Sequence, residues 1–375
     1  NELAALKRID FANMFPQATA RLNGNRETTN YGGDNFDADP ELSLTASISW
    51  ELDLWGNLRW ARDHSTAGFL ASVENCRAVK MGLVAQVAQS YFELMALDNE
   101  LAIVRRTLEA RREGVRLAEI RFKGGLTSEI VFQQAKVELA KTATMVPDLE
   151  RRISLKESEI ALLTGDFPYA VNRNVLPEEI QLPDALPLGL PSTLLERRPD
   201  IRKAERELMA AHAEVGLAYT NMFPRLALTA TLGAESETLR DLLKSPYSYL
   251  AGNLLSPLFA MGKNRAALKA KRAAYEGAVA EYEKTVLTAF KETHDAIINF
   301  NKIKDIYESR RQLAEASRTA VELAQLQYIN GVIGYLDLLD AQRNYFDAQV
   351  SLSNAVCNKQ LMIINLYKAL GGGWK

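Results

Sequence analysis

Polar and apolar residues alternate strictly along several segments of the chain. From Glu41 to Leu54 the even positions are Leu42, Leu44, Ala46, Ile48, Trp50, Leu52 and Leu54, and every odd position is Glu, Ser, Thr or Asp. Leu226, Leu228, Ala230, Leu232 and Ala234 alternate with Arg225, Ala227, Thr229, Thr231 and Glu235, and residues 17–23 do the same more weakly. A fourth segment, Tyr247 to Phe259, carries Pro257 near its end. A period of two predicts strands with one apolar face. Pattern alone fits a half-buried sheet over a globular core as well as a membrane barrel, but the length suits the roughly 9 to 11 tilted residues that cross a bilayer. Trp50, Trp55, Tyr247 and Tyr249 fall where an interfacial aromatic girdle would sit. Residues 23–40 are polar and Gly-rich, as an external loop should be. Four strands cannot close a barrel, so copies of the chain must pool them, and the small polar residues of the other face favour three copies over two.

Between these segments the period changes to that of a helix. The run from Leu58 to Lys123 has no Pro and would make about 100 Å of helix. Within it Leu83, Val87, Ser90, Leu94, Leu97, Leu101, Val104 and Leu108 recur at alternating spacings of four and three, a coiled-coil period. Gly124 and Gly125 break it, and Thr127 or Ser128 can cap a return helix to Leu163, with Pro147 expected to kink it. The second half repeats the pattern from Lys263 through Gly331 to Leu370. An offset of 206 relates Gly56 to Gly262, Arg59 to Arg265, Phe122 to Tyr328, Gly125 to Gly331 and Gly165 to Gly371, and Met14-Phe15-Pro16 returns as Met222-Phe223-Pro224. The chain is therefore two copies of one unit, a β-hairpin followed by a long helical hairpin. Because a helix from Arg198-Pro199-Asp200 precedes the second Met-Phe-Pro, residues 1–13 read as the end of a truncated helix.

Composition narrows the function. A net charge of −2 excludes binding of nucleic acid by bulk positive charge, and a mean hydropathy of −0.16 with no long apolar run excludes membrane-spanning helices. Catalytic logic is not evident. His64, His212 and His294 are isolated, and the glycines at 371–373 end a helix rather than open one. Cys76 and Cys357 lie at different heights of their helices, about 74 Å and 39 Å from the Gly125 and Gly331 bends, and should not meet.

Several motifs together carry a resemblance: Trp50-Glu51-Leu52-Asp53-Leu54-Trp55-Gly56, Leu190-Pro191-Ser192 with Leu195, Arg197-Arg198-Pro199-Asp200-Ile201, Phe223-Pro224, Leu338-Leu339-Asp340-Ala341-Gln342-Arg343, and residues 365–374 ending Leu-Gly-Gly-Gly-Trp. Over its full length the chain resembles the TolC/OprM-type outer-membrane factors, and within them the NodT-like lipoprotein branch. That resemblance implies an α+β homotrimer: long helical hairpins form a periplasmic α-barrel, and four strands per chain build a twelve-stranded outer-membrane barrel. It also implies an exit duct for drugs or other small toxic compounds, docked to a periplasmic adaptor and an inner-membrane RND-type pump, with no cofactor. An N-terminal lipid anchor would sit on a Cys that this chain does not contain. The same duct could serve metal-ion export or type I secretion, and a soluble periplasmic coiled-coil scaffold is the alternative from another class.

The implied divisions are 14–55 and 222–262 for the barrel hairpins, 56–165 and 263–371 for the helical hairpins, 166–198 for a Pro-rich equatorial segment, 199–221 for a helix and 372–375 for the C-terminal segment. The resemblance places a gate at Tyr328, Leu336, Asp337 and Asp340, with Gln134 at the repeat position of Asp340. In three copies the two aspartates would form carboxylate rings able to hold a cation. From spacing alone, both aspartates equally fit the first turn of a helix, stabilised by its dipole. An Arg of the TolC gate falls at Ile333 here, which leaves Leu336 as an apolar seal. Adaptor docking would use the tips, Lys123, Gly124, Gly125, Leu126, Thr127 and Ser128 on one hairpin and Asn330, Gly331, Val332, Gly334 and Tyr335 on the other.

Overall fold

The computed structural model describes residues 1–29, 37–173, 196–256 and 261–372. In chain order the elements are α1 (Glu2–Ala12), β1 (Gln17–Thr29), β2 (Asp37–Leu52), α2 (Asn57–Lys123), α3 (Glu129–Thr164), α4 (Pro199–Thr220), β3 (Arg225–Ser236), β4 (Pro246–Leu255), α5 (Lys263–Ile329) and α6 (Tyr335–Ala369). Most of the Pro-rich segment, the centre of the loop after β1, the Pro257 region and residues 373–375 lie outside the described residues. The chain divides into two compact units, residues 1–76 with 199–286, and residues 77–198 with 287–375.

The first unit contains an antiparallel sheet of order β1-β2-β3-β4. Its register puts Leu22, Leu44 and Ala234 in one row, Ala46 and Leu232 in another, and Trp50 opposite Leu228. Paired residues share a face, so the apolar positions of all four strands form one surface, on which Ile48, Leu232, Leu250 and Leu254 are exposed. The other face is polar, and Ser47 and Thr231 hydrogen-bond across it at 2.9 Å. Here the structure corrects the aromatic girdle. Tyr247 pairs with Gly233 and Tyr249 with Thr231, so both belong to the polar face. Gly233 leaves room for the Tyr247 ring, because a Cβ there would lie 2.4 Å from it. The strands also end sooner than the alternation does, at Leu52 and Leu255.

The Met-Phe-Pro repeats turn out to be acceptors. The Trp50 indole donates to the Met14 carbonyl at 3.1 Å and that of Trp55 to the Pro224 carbonyl at 2.8 Å. Asp53 then starts α2, accepting from the backbone of Leu58 and Arg59 and from the Arg59 side chain at 3.0 to 3.1 Å. α4 approaches α2 so closely that a Cβ on Gly216 would sit 2.4 Å from the Trp60 ring.

In the second unit, Leu94, Leu97, Leu101 and Val104 of α2 pack with Leu149, Ile153 and Ile160 of α3. The coiled-coil stripe holds there but not at its start, where Met81 and Ala85 are buried and Leu83 is exposed. A heptad fixes the period of contact but not which side the neighbour takes. α3 runs unbroken through Pro147, whose flanking turns keep their packing. Phe300 of α5 and Leu366 of α6 form a second core. At its end Arg198 is buried and donates to the Ala369 carbonyl at 3.2 Å while pairing with Glu292 at 2.6 Å, which satisfies the α6 terminus. Gly371 belongs to the same contact, for a Cβ there would meet the Arg197 backbone at 3.0 to 3.1 Å.

Candidate gate at the hairpin tips

Both helical hairpins turn in the same way. Gly125 and Gly331 have φ of 70° and 72°, and Leu126 and Val332 donate back to the Arg121 and Gln327 carbonyls at 2.8 and 2.9 Å. This left-handed cap is open to glycine and strained for other residues. Ser128 occupies the N-cap position of α3, but neither it nor Thr127 caps through its side chain as the sequence suggested. Its backbone is already extended, and Ser128 accepts through its carbonyl from Val131 at 3.2 Å. On α6 the cap is reciprocal in another sense, since the Gly334 amide donates to the Asp337 carboxylate at 3.0 Å.

Asp337 therefore serves the first turn of α6, where the helix dipole also favours its charge. Asp340 is exposed and 3.7 Å from Arg343. Both line the groove between α5 and α6 with Asp347 and Arg310, a space of about 680 Å³. Leu336 is 58% exposed, whereas Leu338 and Leu339 beside it are buried. Lys123 pairs with Glu119 at 2.8 Å, Leu126 and Val332 are exposed, and Gln134 is half-buried. Among the described residues no cluster of three or more potential metal ligands occurs.

Tyr328 differs from the other gate candidates because it is only 7% exposed. The Arg121 guanidinium lies over its ring at 4.7 Å and the Tyr335 ring is tilted against it at 5.9 Å. Burial, with Tyr328 alongside, raises the Tyr335 hydroxyl above its ordinary pKa, so that phenol stays neutral. Within the protomer Tyr328 thus links α2 and α5.

One turn further along α3 lies a centre that the sequence reading missed. Glu138, 5% exposed, accepts from Arg111 of α2, from Lys141 of its own helix at 3.1 Å and from Arg343 of α6 at 2.6 Å. Burial alone would raise its pKa, but the three cations outweigh burial and hold it at about 2. The carboxylate therefore stays charged and ties the two hairpins of one protomer together. The signal was available. At offset 206 Arg111, Arg121 and Glu138 fall on Ser317, Gln327 and Asn344, so the charges occur in one copy only.

Comparison with known proteins completes the picture. The model of the family described as outer membrane efflux protein matches residues 4–166 and 190–372. The chain belongs to that family. It is 33% identical to the outer membrane protein OprJ of Pseudomonas aeruginosa, over 98% of this chain and 78% of that protein. It is 33% identical to the solvent efflux pump outer membrane protein SrpC of Pseudomonas putida, over 99% and 80%. The solved outer-membrane channel OprN superposes with a TM-score of 0.91 at 29% identity, covering 100% of this chain and 85% of that one. This efflux protein is therefore an outer-membrane duct of a tripartite pump. It is a homotrimer whose pooled strands form a twelve-stranded barrel and whose helices form a periplasmic α-barrel, working with an adaptor and an inner-membrane pump.

Proposed function

We propose that the duct passively conducts small toxic organic compounds and is closed at its periplasmic tip by Leu336, with Asp337 and Asp340 as carboxylate rings beside it. The observation that carries this reading is a division of labour at the tip. Tyr328 and Glu138 are buried and tie α5 and α6 to α2 and α3, while Leu336 and Asp340 of the same hairpin remain uncovered. An uncovered leucine beside uncovered carboxylates, repeated on a threefold axis, makes a dry constriction that concentrates cations. The likeness to SrpC, a solvent efflux pump outer membrane protein, supports small solvent-like cargo. Passage in this reading needs no catalytic step and no cofactor. The exposed tips around Leu126 and Val332 would receive the adaptor. The domain divisions stated above fit this scheme, with 14–55 and 222–262 in the barrel and 56–165 and 263–371 below it.

The test is leakage in cells and block in the reconstituted trimer. Leu336→Ser should increase leakage of small antibiotics into cells with the pump deleted, and Asp337→Asn with Asp340→Asn should weaken block of the trimer by divalent cations. Asn keeps the acceptor that caps Gly334, so helix geometry is held constant. Unchanged leakage and unchanged block would place the closure elsewhere.

A further inference from the structure

The first turns of α5 carry Lys263, Arg265, Lys269, Lys271 and Arg272, with no carboxylate before Glu276. The equivalent turns of α2 carry Asn57, Arg59, Asp63, Ser65 and Thr66. Arg59 is held by Asp53 at 3.0 Å, and the residue equivalent to Asp53 is Phe259. Lys271 pairs with Glu214 at 2.7 Å, but Arg265, Lys269 and Arg272 make no ion pair or hydrogen bond among the described residues.

Their direction follows from the other faces of the same helix. At about 100° per residue, Asn264, Lys271 and Tyr275 share one side, and they meet Asn221, Glu214 and His212 of the preceding segment. Ala266, Ala270, Ala273 and Gly277 share a second, exposed side. Their equivalents in α2 are Trp60, His64, Ala67 and Ala71, the side on which Trp60 and His64 meet α4 at Gly216 and Ala210. By the repeat, this small-residue side of α5 would receive α1 of the next protomer as the same side of α2 receives α4. Next to the α4-facing side, Lys263 and Ala267 face a cavity of about 730 Å³, which Asn264, Lys271 and Glu214 also line together with Arg225 and Leu255. Those two residues pair in a row of the polar sheet face, which makes this the lumen side. Arg265, Lys269 and Arg272 lie about 190° from it. They point out of the wall, on the side where Leu250 and Leu254 of β4 are exposed. Since β4 ends at Leu255 and α5 begins at Lys263, they stand at the level of lipid headgroups.

We propose that Arg265, Lys269 and Arg272 form an outward strip that binds anionic phospholipid headgroups of the periplasmic leaflet and fixes the depth of the barrel. Three cations spaced at i, i+4 and i+7 follow the helix, so each can meet a separate phosphate. The lumen-side pocket is a different surface and takes no part. Arginine suits the site because its guanidinium can bind a phosphate through two parallel hydrogen bonds.

The experiment uses the full trimer reconstituted in phosphatidylcholine vesicles, with spin-labelled phosphatidylglycerol or phosphatidylcholine as the probe. The measured quantity is the relative association constant of the motionally restricted lipid. The wild type should prefer phosphatidylglycerol by roughly fivefold, the effect of about one surface cation, with the preference fading at high salt. R265Q/K269Q/R272Q should abolish the preference, and R265K/R272K should keep most of it. Each single Gln variant should lower it, which keeps the test valid if the triple variant does not assemble. Three results would overturn the proposal: no preference in the wild type, an equal preference in the triple variant, or dissociation of the triple variant to monomers while the Lys variant stays trimeric. The last would make the strip a protomer contact. Release of the labelled lipid by inorganic phosphate but not by chloride at equal ionic strength would likewise overturn it in favour of a site for free anions.

Discussion

Glu138 stays ionised in a place that water barely reaches, and its pKa near 2 makes it a stabilising group with a defined pH window. Its folded pKa lies below the ordinary 4.5, so its contribution is complete above pH 4.5 and is lost as the pH falls towards 2. The difference corresponds to about 3 kcal/mol. Thermal melts of the trimer in detergent should therefore change little between pH 7 and 5 and then fall steeply. Glu138→Gln should lower stability at neutral pH by about 3 kcal/mol, leaving Arg111 buried without its counter-charge, and should flatten the acid limb of the profile. A variant whose melts retain the wild-type acid limb would show that other carboxylates dominate it. The sequence could name Leu336, Asp337 and Asp340 because the family motif contains them. Tyr328 was placed at the gate for the same reason, and the structure adds the contact of Arg121, 207 positions earlier in the chain. Pattern along a chain does not report partners at that separation.

At the scale of elements, the alternation and the Pro-free runs were legible because each is a local signal with its own period. The helical hairpins and the glycine bends stand where those signals placed them, whereas β1 and β2 run on through residues 23–29 and 37–40, which the sequence assigned to a loop. What escaped depended on neighbours. Leu83 has the period of a buried residue and is exposed, whereas Tyr247 and Tyr249 have a girdle's composition and belong to the polar face. Sheet register settles the tyrosines, because a shift of one residue exchanges the faces of a strand. Two glycines give direct tests of element packing. Gly216→Ala should force α4 away from Trp60 and cost about 1 to 3 kcal/mol by overpacking, with Trp60→Leu restoring part of the loss. Gly331→Ala should cost about 1 kcal/mol or more through its positive φ alone. Circular dichroism melts distinguish the two, since only the first should be rescued by a change at Trp60.

The whole molecule is a wall segment rather than a closed object. Its sheet ends in two unpaired edges, β1 and β4, which is incompatible with an isolated chain in lipid and is resolved by the trimer. By the same logic the small-residue side of α5 would meet α1 of the next protomer, since a repeat that packs within one chain can pack again between chains. Central to the proposed function is a gate that, in this reading, contacts within each protomer hold shut, chiefly those of Glu138 and Tyr328. Single-channel conductance in planar bilayers, compared between the wild-type trimer and Glu138→Gln, tests it most directly. The wild type should show a small conductance that divalent cations reduce further, and the variant should conduct severalfold more. A variant that remains trimeric with its conductance unchanged would contradict a closure maintained by that network.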